Sequence, residues 1–148
     1  MPIPQVSVFL DNRPGSLFEA MSQFDNNQIK IFALTIADAG EFGLVRLITP
    51  EPQRAASLLE DAEFNLAKSK KNTEVTAIFS SDQERLSKIT KILGDGGINI
   101  EYAYSSAVHV NGKIALIIRP SNVEKAEQML SANGVEVLSL AELEKYFK

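Results

Sequence analysis

The sequence predicts an α+β protein made of two consecutive βαββαβ units, each an antiparallel sheet with both helices on one face. Three observations predict it. Strand-like and helix-like stretches follow one another in the same order twice. Corresponding residues recur at a steady offset: Leu17 aligns with Leu86, Ile29 with Ile98 and Ile31 with Ile100. After a hairpin the offset grows by one, so that Pro50 aligns with Pro120. The hairpin itself is signalled in the second copy by Asn111-Gly112, a dipeptide suited to a two-residue turn.

The elements justify themselves in order. Gln5–Leu10 alternates and is rich in β-branched and aromatic residues, so it reads as a strand. Leu17, Ala20, Met21 and Phe24 then fall on one helical stripe, which "NNQ" ends. Ile29–Asp38 reads as a long strand, "AGE" as a turn and Phe42–Thr49 as the returning strand. A proline-led helix follows, with Ala55, Leu58, Leu59 and Ala62 on one stripe, and "FNLAKSK" closes the unit as a short strand. The second copy repeats this with the strand Thr73–Phe79 and a helix striped by Leu86, Ile89 and Leu93, stopped by Gly96 and Gly97. A long strand covers residues 98–110, and "KIALIIRP" pairs back to it. Val123, Ala126 and Leu130 mark another helix, and "GVEVLS" is the last strand. Ser139 and Glu142 form a capping-box pattern for a terminal helix whose Leu140, Leu143 and Phe147 face one way. The expected domains are residues 1–70 and 71–148, joined near Lys70–Asn72. This strand order is ferredoxin-like.

Composition narrows the function. The chain has 148 residues, 45% hydrophobic and 23% charged, which suits ordinary globular domains. A net charge of −4 without a basic run speaks against nucleic acid as partner. There is no cysteine and one histidine, His109, so thiolate and histidine-cluster metal sites are excluded. His109 itself reads as a solvated hairpin residue, and "KSKKN" (Lys68–Asn72) as a solvated linker. No apolar run is long enough for a membrane span, and no secretory leader is visible, so the expected location is cytoplasmic.

The strand Ile29–Asp38 is apolar on both sides, with Ile29, Ile31 and Ala33 on one and Phe32, Leu34 and Ile36 on the other. Such a strand is buried on both faces. The bare sheet face is therefore expected to meet another sheet in a homodimer, or to be covered by the second domain or the terminal helix. In the second copy Tyr102 and Tyr104 read as sharing a face with Ile98 and Ile100. Asn99, Glu101, Ala103 and Ser105 form the opposite, more polar face.

The halves resemble the ACT domain, a ferredoxin-like module that binds amino acids and regulates metabolic enzymes. The resemblance covers nearly the whole chain as two tandem copies. "DNRPGSL" (Asp11–Leu17) is similar to the ACT loop of phosphoglycerate dehydrogenase, where an Asn-Arg-Pro-Gly run precedes the first helix. "GINIEYAYSS" (Gly97–Ser106) is similar to the start of the second strand there, with Asn99 at its Asn position. In that relative, serine lies between two domains paired side by side and touches both Asn residues. The resemblance implies a non-catalytic sensor of a free amino acid, without cofactor and with a biosynthetic enzyme as a possible partner. It implies a site made of Asp11, Asn12, Arg13, Pro14, Gly15, Ser16, Leu17, Asn99 and Glu101. Lys30 replaces Asn99 in the first copy, and "SSDQERL" replaces "DNRPGSL" in the second, so only one of the two pseudo-symmetric sites has its parts. Leu10 stands where the relative has a polar ligand contact, which leaves room for an amino acid other than serine.

The loop has a chemical logic. A ligand carboxylate wants unpaired N–H donors and positive potential, and a helix start supplies both. Aligning the copies sets Arg13 opposite Asp82. An aspartate can cap its own helix, worth about 1 kcal/mol, whereas arginine accepts no N–H bond. Asn12 or Asn99 could offer its oxygen to an ammonium and its NH₂ to a carboxylate. The alternative is that Ser16 and Glu19 form a capping box and the loop is only a turn. Two other functions share the strand order. An acylphosphatase-like hydrolase would use a loop Arg with a strand Asn, but Arg13 and Asn99 fall in different repeats. An RNA-recognition module needs exposed aromatics on a basic surface, which this acidic chain lacks. The inequivalence of the halves predicts one amino acid per chain, measurable as the stoichiometry in isothermal titration calorimetry; two equivalent sites would contradict it.

Overall fold

The computed structural model describes residues 2–80, 86–106 and 112–146. In chain order the elements are β1 (Ile3–Pro4), β2 (Val6–Asp11), α1 (Ser16–Asn26), β3 (Ala33–Ala39), β4 (Phe42–Ile48), α2 (Pro52–Asp61) and β5 (Asn65–Leu66). They continue as α3 (Lys70–Thr73), β6 (Glu74–Ser80), α4 (Leu86–Asp95), β7 (Ile100–Ser105), β8 (Ile114–Pro120), α5 (Val123–Ala132), β9 (Val137–Leu138) and α6 (Leu140–Tyr146). Two compact units result. One is Pro4–Thr73; the other gathers Ile3 with the chain from Glu74 onward. The Asp82 cap, His109, Asn111 and Phe147 lie outside the described residues.

In the unit Pro4–Thr73 the antiparallel sheet runs β3-β4-β2-β5. Val6 and Val8 of β2 stand opposite Leu47 and Val45 of β4, so all four share one face. That face is covered by Ala20 and Phe24 of α1 and by Ala55 and Leu59 of α2, each at most 1% exposed. Phe24, Leu47 and Leu59 each contribute roughly 2 kcal/mol of burial. The second unit has the corresponding order β7-β8-β6, with β9 and β1 both along the remaining edge of β6. Ile78, Leu116 and Ile118 of its sheet pack under Ile89 and Leu93 of α4 and Ala126 and Leu130 of α5. Both units are thus α+β and ferredoxin-like. Beyond Pro120 the offset between copies grows once more, since Ala55 and Leu59 correspond to Ala126 and Leu130.

The four long helices end alike. The residue after each helix cap has positive φ, and the next residue's N–H reaches back across the last turn. Those bonds are Ile29 N–H to the Phe24 carbonyl, Phe64 to Leu59, Ile98 to Leu93 and Val135 to Leu130, all 2.9 Å. In the second unit the left-handed residues are Gly97 and Gly134 (φ 72° and 78°), but in the first they are Gln28 and Glu63 (φ 56° and 68°). This closure corrects the predicted strand Ile29–Asp38. Ile29 is held at the end of α1 and both it and Ile31 join the helix-side core, so extended pairing begins only at Ala33. Ala33 stands opposite Ile48 on the other face, and Leu34 faces the helices.

A β-bulge corrects a second expectation. Ile100 stands opposite Pro120, but Tyr102 stands opposite Arg119, so one residue of β7 is extra. An added residue inverts the alternation beyond it. Ile98 and Ile100 therefore pack with the helices, while Tyr102 and Tyr104 lie with Arg119 and Ile117 on the opposite face. Part of that opposite face is covered within the unit by the terminal helix: Tyr146 meets Phe79 edge to face at 4.9 Å between ring centres. The capping box there is formed, with Ser139 N–H donating to Glu142 Oε1 and Glu142 N–H to Ser139 Oγ, both 3.2 Å. In the first unit Phe9 and Phe42, on the face away from the helices, are 36% and 46% exposed.

The stretch Lys68–Asn72 is more than a solvated linker. Gln5 and Ser7 of β2 are buried polar residues and must find partners. Both donate to the Asn72 carbonyl, at 2.9 Å and 2.5 Å, and Gln5 N–H donates to Thr73 O. That need winds Lys70–Thr73 into α3. The predicted first strand likewise begins one residue later, at Val6, and the additional strand β1 was not foreseen. Ile3 within it is fully buried. No helix among the described residues is long and apolar enough to cross a membrane. Left-handed backbone at a side-chain-bearing residue costs about 1–2 kcal/mol, more than glycine's extra chain entropy. Gln28→Gly is expected to raise the urea-unfolding free energy by about 0.5 kcal/mol, and Gly97→Gln to lower it by at least that much.

Candidate ligand site at the start of α1

β2 ends at Asp11, and the chain turns through Asn12, Arg13 and Pro14 before α1. Arg13 N–H donates to Asp11 O (2.9 Å) and Ser16 N–H to Arg13 O (3.3 Å). Gly15 is the residue preceding the helix, with φ 91°, and its carbonyl accepts from Glu19 N–H at 3.0 Å. A Cβ there would meet nothing within 4 Å, so glycine is required by conformation rather than by space. No side chain caps α1. The capping-box alternative is thereby settled: Ser16 is already inside the helix, and Glu19 is engaged elsewhere. Glu19 binds the guanidinium, Arg13 Nη2 to Oε2 at 3.1 Å, while Arg13 Nε lies 3.7 Å from Asp11. The hydrogen bond and charge of Glu19, then Asp11, raise the Arg13 pKa above its ordinary value. The pair is exposed, so it positions the loop more than it stabilises it.

The other predicted residues divide. Asn12 donates its Nδ2 to Gly40 O (3.0 Å) and Asp38 Oδ1 (3.4 Å), and its N–H bonds Glu41 O (3.0 Å). It ties the loop to the β3–β4 turn. Its NH₂ is thereby engaged within the chain. Pro14 is exposed and Leu17 packs against the core. Ser16 is 5% exposed, yet its Oγ has no hydrogen-bond partner.

Ser16 also borders a cavity of about 300 Å³. Asp11, Arg13, Ser16 and Glu19 form its α1 side, and Phe9 and Leu10 of β2 contribute. The end of α2 forms the other side through Ala62, Glu63, Phe64 and Asn65. The partial positive charge of one helix start and the partial negative charge of another helix end thus border the same space. Glu63 and Asn65 border this space although the sequence analysis does not single them out. The signal for Glu63 was present: it stands where the second copy has Gly134, at a left-handed helix end.

Asn99 and Glu101 lie in the other unit. The Asn99 backbone exchanges bonds with Ser121, donating to Oγ (3.0 Å) and accepting from Ser121 N–H (2.8 Å). Its carboxamide is exposed and has no partner among the described residues. Glu101 sits at the bulge and pairs with Arg119 at 3.4 Å. Arg119 also donates to the Glu74 carbonyl at 2.8 Å. Among the described residues no cluster of His, Cys, Asp or Glu could hold a metal ion.

The chain is thus two ferredoxin-like units in tandem, the first with an uncapped helix start behind a Gly15 turn. Residues 1–146 match the family described as an ACT domain pair. The chain is an ACT domain pair. Such pairs are regulatory ligand-binding modules, usually non-catalytic. The pair is similar to protein BT0572 from Bacteroides thetaiotaomicron, with 31% identity over 97% of this chain and 96% of that one and a TM-score of 0.85. It shares its fold with the ligand-free regulatory subunit of aspartate kinase from Thermus thermophilus (18% identity, 88% and 89% of the chains, TM-score 0.61). The regulatory subunit of aspartate kinase from Thermus flavus is also similar (14% identity, 99% and 94%, TM-score 0.53). No curated protein matches the sequence.

A buried hydroxyl without a partner costs about 1–3 kcal/mol. Ser16→Ala is therefore expected to stabilise the ligand-free ACT pair by about 1 kcal/mol in chemical denaturation; a loss of stability would mean that Ser16 Oγ is satisfied in solution.

Proposed function

We propose that this ACT domain pair is a non-catalytic sensor of a free amino acid, held at the start of α1. The observation that carries the reading is that α1 has no side-chain cap while Arg13, beside it, is kept in place by Glu19 and Asp11. A carboxylate is the group that both features accept. The Asn12 oxygen suits the ammonium, and the resemblance to the phosphoglycerate dehydrogenase loop adds the free carboxamide of Asn99 as a further contact.

A sensor acts by binding two states of its protein unequally, typically with 1–3 kcal/mol of coupling. The output proposed here passes to a partner enzyme of amino-acid biosynthesis; the regulatory subunit of aspartate kinase from Thermus thermophilus shares this fold. Pairing of two copies through sheet edges, or through the face bearing Phe9 and Phe42, belongs to the same reading, as does a cytoplasmic location.

A thermal-shift screen of the free amino acids tests it. A ligand that binds only the native form adds about 2.7 kcal/mol at a hundredfold excess over its dissociation constant. One amino acid, or a small related set, is expected to raise the melting temperature, and Asn12→Ala and Asn99→Ala each to remove the shift. If both variants respond like the parent chain, the site assignment fails. Silence across the whole panel favours a ligand-free structural subunit instead.

A further inference from the structure

We propose that a second cavity, beside the first half of α2, is a site for a short aliphatic carboxylate. Its volume is about 300 Å³, and all its lining residues belong to the unit Pro4–Thr73. None of them borders the cavity at the start of α1. The inference does not depend on the amino-acid reading above.

The two copies show what the space takes. Val6 stands opposite Leu47 in one sheet as Thr76 stands opposite Ile118 in the other, so Val6 and Thr76 correspond. Ala55 and Leu59 correspond to Ala126 and Leu130, so Ala56 corresponds to Glu127. In the second unit Thr76 is fully buried, and its hydroxyl donates to Glu127 Oε2 at 2.6 Å. The Glu127 side chain thereby bridges helix and sheet. In the first unit Val6 and Ala56 line the cavity instead. Valine keeps the shape of threonine without its hydroxyl, and alanine lacks everything beyond Cβ. The first copy therefore leaves open a space that the second fills with a carboxylated aliphatic side chain.

The lining sets the orientation of a ligand. Val6 and Pro52 are buried, and Ala56 and Leu66 are half-buried. Gln5 and Ser7 also border the space, but their side chains already donate to the Asn72 carbonyl. Such walls favour an apolar tail, and a carboxylate placed against Val6 would lose the hydrogen bond that Thr76 gives Glu127. The polar end thus faces the rim, where Lys68 and Gln53 are exposed donors. Lys68 pairs with Glu60 at 3.4 Å, yet its side chain is 75% exposed, so the pair is weak and exchangeable for a ligand carboxylate. A space of about 300 Å³ is at the lower end of small-molecule sites, which keeps the chain short.

The probes are butanoate, hexanoate and octanoate, with hexanol and hexylamine to vary the head group. Binding to the whole chain is followed by calorimetry and by the backbone amide resonances of Val6, Ala56 and Leu66. Hexanoate is expected to bind, to shift those resonances, and to bind more tightly than hexanol or hexylamine. Lys68→Gln should weaken hexanoate about fivefold and leave hexanol unchanged. The decisive variant combines Val6→Thr with Ala56→Glu, which rebuilds the second copy's bond in the first. It is expected to lose hexanoate binding while unfolding at no lower urea concentration than the parent. Ala56→Met fills the space without a charge and gives the same reading if the double variant does not fold. The proposal is overturned if no probe binds the parent chain. It is equally overturned if the filled variants bind hexanoate as tightly as the parent, which is the result expected of a carboxylate taken up at the start of α1. Tighter binding of hexylamine than of hexanoate overturns the assignment of a carboxylate.

Discussion

The architecture depends on how each long helix is closed onto its sheet. After the last turn one residue takes the left-handed conformation, and the next donates its N–H back to the helix. The residues making those bonds, Ile29, Phe64, Ile98 and Val135, are all apolar and all join a core. One device thus satisfies an end carbonyl, reverses the chain and buries a hydrophobic anchor. Because it recurs at corresponding positions, both units place two helices on one face of a β-sheet of the same strand order.

The same closure prepares the candidate site. At the end of α2 it turns Glu63 toward the space that the Asp11–Gly15 loop borders from the other side. Gly15 does the complementary thing at the start of α1, where, having no side chain, it leaves the helix without a side-chain cap. Arg13 cannot provide that cap, and Glu19, which carries the right charge, is drawn away by Arg13. The start of α1 is therefore left without a side-chain cap.

The two copies have diverged where chemistry is at stake and stayed alike where packing is. Ala55 and Leu59 are matched by Ala126 and Leu130, and Phe24 by Leu93, all fully or almost fully buried. Left-handed helix ends are glycines in one unit and Gln28 and Glu63 in the other. In the second unit the bulge in β7 turns Tyr102 and Tyr104 away from the helices and sets Glu101 beside Arg119. These differences give each half of the ACT pair its own surface on a shared frame.

Much of this was readable along the chain. Helix stripes such as Leu17, Ala20, Met21 and Phe24 repeat with a local period, and so do strand alternation and the capping box of Ser139 and Glu142, because each depends on residues a few positions apart. The order of elements and the tandem repeat follow from those local signals. What depends on pairing across the sheet did not. The late start of β3, the bulge that reverses the tyrosines, the winding of α3 to satisfy Gln5 and Ser7, and the diversion of the Asn12 amide to Gly40 are all set by partners far away in sequence. The cavity belongs to the same class, since Ser16 and Glu63 become neighbours of one space only when two helices are laid side by side on the sheet. Local spacing determines which elements form; only long-range packing decides which of their polar groups are already satisfied, and so which remain for a ligand.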